Sequence, residues 1–281
     1  MIILIFRLTE ERRQITVFIR IFILPPRRSK NLPSFAFASM TDIGRKRSKN
    51  QDAIAFDSDL GLFVVADGMG GHLGGEIASQ LACDTIFETF ANNPEASPED
   101  RLAQSISSAS AAVFLKSTED ENLHGMGTTV TAVYLTNDSA FLGNVGDSRT
   151  YLLNDQGLIW QLTKDHSLVQ ERISLGQISR QEAKTDKLRN VILRSVGVEA
   201  TVKVDVFTYQ YEPGQLFLLC SDGLSGRLDD QEIAKAVDVK NLPSNSSELE
   251  KALQERCEQL IHFANEGGGD DNISVILVKP L

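Results

Sequence analysis

The stretch Leu62-Phe63-Val64-Val65-Ala66-Asp67-Gly68-Met69-Gly70-Gly71-His72 passes from an unbroken apolar run to a carboxylate and then into a glycine-dense segment. Five apolar residues bounded by turn residues read as a strand buried on both faces, and Asp67 stands where that strand surfaces. The same placement recurs. Asp147 follows Phe141-Leu142-Gly143-Asn144-Val145-Gly146, Asp222 follows Leu216-Phe217-Leu218-Leu219-Cys220-Ser221, and Asp271 precedes Ile273-Ser274-Val275-Ile276-Leu277-Val278. Taken singly, each reads as an ordinary turn aspartate. Taken together they point to carboxylates gathered at buried strand ends, where they are costly unless paired or bound to hard cations.

Working outward, residues 35–38 and 53–56 read as short strands flanking a polar, basic loop, and 68–75 as a glycine-dense loop. Ile77, Ala78, Leu81, Ala82, Ile86 and Phe90 then recur at helical spacing, which predicts a helix over 76–90 with one buried face. Ser97-Pro98 opens a second helix with Leu102, Ile106, Ala109 and Val113 along one side. Alternation predicts an antiparallel meander over 129–135, 140–145, 150–153 and 158–162. Residues 165–195 are more polar, and Ser179 with Glu182 spells a capping box, so a small flap-like helical insertion is expected there. Strands resume at 202–207 and 216–220, helices at 231–237 and 247–264, and the last strand covers 273–278. Strand groups alternating with helix pairs predict an α+β domain with sheets inside and helices outside. Trp160 and the helix-face leucines are expected in the core.

At 281 residues and 42% hydrophobic, the chain has material for one large domain. A net charge of -10 excludes an electrostatic nucleic-acid binder, whose partner demands a basic footprint. Residues 1–50 hold 11 Lys or Arg against 3 Asp or Glu, net +8, leaving -10 - 8 = -18 for the rest. Cys83, Cys220 and Cys257 are far apart and form no CxxC pair, so free buried thiols in a reducing, cytoplasmic setting are expected. The longest apolar run, 15–24, is interrupted by Arg20, so no transmembrane segment is expected. Residues 1–33 read as an N-terminal extension to a domain at 34–281, either disordered or the product of an upstream start, with Met40 near the domain's beginning. A membrane-surface element ranks lower, because the arginines are scattered, and no signal-peptide cleavage pattern is present.

Glycine beside Asp67 lets a backbone carbonyl approach a metal without a side chain in the way. A phosphate-cradling loop is the alternative, but neither GxxxxGK[ST] nor GxGxxG is present, and Asp67 at its mouth would repel phosphate. Upstream, Arg45-Lys46-Arg47-Ser48-Lys49-Asn50-Gln51-Asp52 sets cations just before a carboxylate. An arginine fork suits a phosphoryl oxygen pair, so cations and acids together suggest a phosphate ester presented to a metal. His166 opens the insertion, with structural and substrate-contact roles equally weighted. Gly125-Met126-Gly127-Thr128-Thr129 is expected to set a tight start to a strand, and Arg149 to form an internal salt bridge.

With Gly146-Asp147-Ser148-Arg149, Ser221-Asp222-Gly223 and Gly269-Asp270-Asp271-Asn272 added, the ordered motifs resemble the metal-dependent type 2C protein serine/threonine phosphatases in their bacterial form, over residues 35–278. The resemblance implies a four-layer sandwich of two antiparallel β-sheets flanked by helices on both outer faces. It implies hydrolysis of phosphoserine and phosphothreonine in proteins, by water or hydroxide activated at a two-metal centre of Mn²⁺ or Mg²⁺. In that pattern Asp67 bridges two ions, Gly68 offers its carbonyl, Asp222 and Asp271 complete the first site, and Asp147 serves a third ion. Asp52 acts from the outer shell, and Arg47 grips the substrate phosphate. Gln51 stands where many relatives carry Glu, and Met69 where the animal-type pattern has a histidine. The leaving group's proton is therefore expected from metal-bound water, with His72 a distant second. Expected partners are phosphorylated proteins and a counteracting serine/threonine kinase, the enzyme acting as a cytoplasmic monomer in signal transduction. The rivals are an inactive regulatory module of the same fold, against which the intact aspartates speak, and a small-molecule metallophosphoesterase, whose histidine-rich ligation is missing.

Overall fold

The computed structural model describes residues 33–281 and, by backbone alone, the antiparallel strand pair β1 (Ile2–Leu8) and β2 (Ile15–Ile21). The expectations for residues 1–33 otherwise lie outside the described residues, as does the His72 side chain.

Two antiparallel sheets carry the domain. One contains β3 (Phe35–Asp42), β9 (Arg149–Leu153), β10 (Ile159–Gln161), β12 (Leu216–Cys220) and β13 (Ile273–Pro280), in the order β10-β9-β12-β13-β3. The other contains β4 (Asp52–Asp57), β5 (Leu62–Met69), β7 (Val130–Leu135), β8 (Ser139–Val145) and β11 (Asp205–Gln210), ordered β11-β8-β7-β5-β4, and β6 (Gly127–Thr128) pairs with the end of β5. Phe63, Val65, Leu142, Leu152, Phe217, Leu219 and Ile276 fill the space between the sheets. On the opposite face of β5, Leu62, Val64 and Ala66 pack in one cluster with Ile86, Phe87 and Phe90 of α1 (Gly71–Asn92) and Ile106 of α2 (Pro98–Glu119). Leu218, Val275 and Leu277 likewise cluster with Ile233 of α6 (Asp230–Val237) and Leu253 and Leu260 of α7 (Ser246–Glu266). Four layers result. Because successive strand residues face a helix layer and the other sheet in turn, both sets must be apolar, which explains the unbroken hydrophobic run before Asp67.

The expected elements occur with shifted bounds, but the expected meander is split: β7 and β8 pair in one sheet, and the chain then crosses to the other sheet, where β9 pairs with β10 and β12. Strand β5 runs to Met69 and α1 begins at Gly71, whereas the sequence predicts a glycine-dense loop to residue 75. The cause is close backbone packing: a Cβ on Gly68 would lie 2.0 Å from the Gly75 carbonyl oxygen, so only glycine lets the first helical turn cross the strand. The strand expected at 202–207 occupies Asp205–Gln210. Trp160 is not core: it sits 43% exposed on the edge strand β10. The three cysteines are buried and free. The insertion contains α3 (Leu168–Ser174) and α4 (Arg180–Thr185), the latter opened by the Ser179–Glu182 capping box. Its two ends are pinned together, Leu168 N–H donating to Val191 O at 2.9 Å and Leu193 N–H to His166 O at 2.7 Å. Among the described residues no helix is long and apolar enough to cross a membrane.

Candidate metal centre

Strand ends bring the carboxylates together. Asp52 opens β4 and Asp67 lies near the end of β5, and the antiparallel register sets them directly opposite each other. Like charges so placed repel. Asp147 follows β8, Asp222 follows β12 as the first residue of the short α5 (Asp222–Ser225), and Asp271 precedes β13. Desolvation holds the Asp67 carboxyl well above its usual range, and the charges of Asp52, Asp222, Asp147 and Asp271 push it further. Direct contacts join these segments: Ser221, beside Asp222, donates to Asp52 at 2.8 Å, and Thr129 accepts from Asp67 N–H at 3.1 Å and meets Ser148, beside Asp147, at 2.7 Å. Desolvation, reinforced by Asp222, pushes Asp147 up to about 8. Asp52 is pushed up to about 7 by burial, against the opposing hydrogen bonds from Ser274 and Ser221. Asp222 is also raised, by desolvation and then by Asp271.

The residues fit hard divalent cations. Asp52 Oδ1, Asp147 Oδ1 and Asp222 Oδ1 are buried without a hydrogen-bond partner, a costly condition for carboxylate oxygens that cation binding would relieve. Every donor is oxygen, which suits Mg²⁺ or Mn²⁺. Among the described residues no three acidic, histidine or cysteine side chains close a cage by themselves. Asp271 is instead engaged elsewhere: Arg47 donates to its Oδ2 at 2.7 Å and Asn272 N–H to its Oδ1 at 2.9 Å. Arg47 is half-exposed, and its hydrogen bond to Asp271, with the nearby charges of Asp67 and Asp222, raises the guanidinium further above its usual range.

Several supporting residues escaped the sequence reading. Thr129 Oγ1 accepts from Asp67 N–H at 3.1 Å, and Thr128 Oγ1 donates to Asp67 O at 2.9 Å, so the segment expected only to start a strand also fixes the Asp67 backbone. Buried Asn272 accepts from Gln51 N–H at 2.8 Å and donates to Ile43 O at 3.0 Å and Lys49 O at 2.9 Å, fastening the basic loop beside Asp271. Ser221 and Ser274 hold Asp52. Their signal was present, since each is a polar residue next to or inside an apolar run. His166 resolves toward structure: its Nδ1 accepts from Gly146 N–H at 3.0 Å and its Nε2 lies 3.1 Å from Asp205 Oδ2, pinning the loop that carries Asp147. Desolvation lowers its pKa, consistent with a neutral ring donating to Asp205. Arg149 pairs internally with Asp165 at 2.7 Å.

A two-sheet, four-layer α+β sandwich with a desolvated oxygen-donor cluster at its strand ends defines a class of metal-dependent hydrolase architecture. Protein phosphatase 2C is the family that matches, over residues 44–260. Serine/threonine phosphatase Stp of Listeria monocytogenes is 36% identical over 246 residues, covering 85% of this chain and 93% of that protein. The crystal structure of Mycobacterium tuberculosis PstP/Ppp superposes with a TM-score of 0.78 at 32% identity, covering 88% of this chain and 98% of that one. The catalytic domain of PstP in complex with 2 manganese ions superposes with a TM-score of 0.76 at 31% identity, covering 87% and 97%. The chain belongs to the protein phosphatase 2C family.

Proposed function

We propose that the carboxylate end of the sandwich hydrolyses phosphoserine and phosphothreonine monoesters in proteins. Asp67, Asp222, Asp271 and the Gly68 carbonyl would hold two divalent cations, Asp147 would serve a third, and Asp52 would act from the outer shell. The observation that carries this reading is the Asp52–Asp67 cross-strand pair, set among three further carboxylates, of which Asp147 and Asp222, like Asp52 itself, hold a buried, unpartnered oxygen. Such a cluster is tolerable as an anion only with cations at hand. Bound there, Mn²⁺ or Mg²⁺ lowers the pKa of a water toward neutrality and screens the phosphoryl oxygens.

The protein's own groups do the rest. Arg47 presents a five-donor fork beside Asp271 and spends one contact on it, leaving donors to orient a phosphoryl group. Ser221 and Ser274 fix the orientation of Asp52. Met69 offers no acidic proton, so water held at the site would be the acid for the departing alkoxide. Family membership and the Stp and PstP names support phosphoproteins as substrates. A counteracting serine/threonine kinase, cytoplasmic placement, a monomeric state and a catalytic domain at 34–281 complete the proposal.

The test is Mn²⁺-dependent hydrolysis of a phosphothreonine peptide and of p-nitrophenyl phosphate by wild type and Asp222→Asn, with and without chelator. Turnover should vanish in chelator and fall at least about a hundredfold in the variant, as expected when a direct metal ligand is lost. Chelator-insensitive turnover would overturn the mechanism, and an inert wild type would favour a regulatory module.

A further inference from the structure

The centre is acidic, yet its rim is not. Residues 45–49 are all exposed and carry Arg45, Lys46, Arg47 and Lys49, in a chain whose portion beyond residue 50 is strongly acidic. This loop is fastened rather than loose. The backbone N–H groups of Arg45 and Lys46 both donate to Gly269 O, at 2.7 and 3.2 Å, and Asn272 holds Ile43 and Lys49. Lys46 Nζ lies 2.6 Å from Asp270 Oδ1, and Arg227, just past α5, pairs with Asp270 Oδ2. Cations from two separate segments thus flank one acid, and Asp270 adjoins Asp271 in sequence. One carboxylate against an ammonium and a guanidinium group leaves net positive charge and more donors than acceptors.

We propose that Lys46 and Arg227 form an anion subsite that favours phosphoproteins bearing an acidic residue next to, or within a few residues of, the phosphorylated side chain. The inference rests on the phosphatase reading above. The spacing is suitable: Arg47 pairs with Asp271 and Lys46 with Asp270, so the two cation positions are one residue apart on both segments. Neighbouring Cα atoms are about 3.8 Å apart, so an extended peptide with its phosphate at Arg47 brings a nearby side chain within reach of Lys46.

The experiment compares kcat/KM for phosphothreonine peptides flanked by glutamate, alanine or lysine, at low and high salt, using wild type, Lys46→Glu and Arg227→Glu. Wild type should favour the glutamate peptide over the alanine peptide by about two- to fivefold, chiefly through KM, with the preference shrinking in salt. Both variants should lose or invert that preference. p-Nitrophenyl phosphate has no flanking residue and reads the catalytic centre alone. Wild-type turnover of it, together with equal use of the glutamate and alanine peptides or a preference for lysine, overturns the subsite while leaving the phosphatase reading intact. A glutamate preference that both variants retain overturns it too. A wild type inert toward every substrate overturns both.

Discussion

The Ser274 hydroxyl of one sheet donates to Asp52 Oδ2 of the other at 2.7 Å. Ser221 donates to the same oxygen at 2.8 Å, and Thr41 meets Ser274 at 2.8 Å, so a chain of hydroxyls crosses the sandwich to hold one acid. The faces explain it. Ile276 and Val278 on the Ser274 face of β13 belong to the inter-sheet core, and Ser274 replaces that apolar filling where Asp52 must be anchored.

Ser274→Ala should remove one of two hydroxyl donors from a buried carboxylate and destabilise the fold by about 1–2 kcal/mol. With Asp52 less firmly held, the Mn²⁺ concentration for half-maximal p-nitrophenyl phosphate hydrolysis should rise severalfold, with kcat at saturating Mn²⁺ changing less. Ser274→Thr keeps a hydroxyl and should recover most of the shift. An unaltered Mn²⁺ activation curve in Ser274→Ala would dismiss the anchoring role.

Arg47→Ala should act mainly on substrate binding. A charge-assisted hydrogen bond contributes about 1.5–3 kcal/mol, so KM for a phosphothreonine peptide should rise about tenfold or more, and inhibition by inorganic phosphate should weaken in parallel. Arg47→Lys restores the charge but not the fork and should recover only part of the loss. Equal KM values for wild type and Arg47→Ala would remove the assigned role.

Asn272→Ala probes the fastening of the loop. Its side chain makes three hydrogen bonds to the backbone of residues 43–51, two donated and one accepted, from a buried position. Their loss should cost about 2–3 kcal/mol of stability, seen in thermal melting, and raise KM by freeing the segment that carries Arg47. A variant with a lowered melting temperature but wild-type KM would show that the loop holds its position without this residue.

What was legible in the sequence followed from local pattern. The double-sided burial of β5 and β12 appears as continuous apolar runs, and the cap at Ser97 and the capping box at Ser179 mark helix starts directly. The start of α1 was not legible, because it depends on contact between Gly68 and Gly75, which no spacing rule conveys. Trp160 was misplaced because burial at a sheet edge depends on what lies beyond the edge, and residues 159–161 look the same in either case. The aspartates could be singled out by their recurrence at strand ends. Their supports, Thr129, Ser221 and Ser274, became interpretable only once register set them beside Asp67 and Asp52.

The cluster also fixes the sign of a pH dependence. In the folded chain Asp52 and Asp147 are raised to about 7 and about 8 from an ordinary value near 3.8, so between those limits the folded state binds more protons than the unfolded state. The stability these groups contribute is therefore complete below about pH 4 and is lost as pH rises through their folded values, with a slope approaching about 1.4 kcal/mol per pH unit for each proton involved. In chelator, the melting temperature should fall between pH 5 and pH 8.5 in buffers of constant ionic strength. Asp52→Asn cannot ionise, so its decline should be shallower. Mn²⁺ should raise the wild-type melting temperature most at the alkaline end, where the carboxylates are charged, and its binding near pH 7 should release protons measurable in weakly buffered solution. If Asp52→Asn instead follows the wild-type slope across the whole range, Asp52 is not among the carboxylates that destabilise the metal-free fold at alkaline pH.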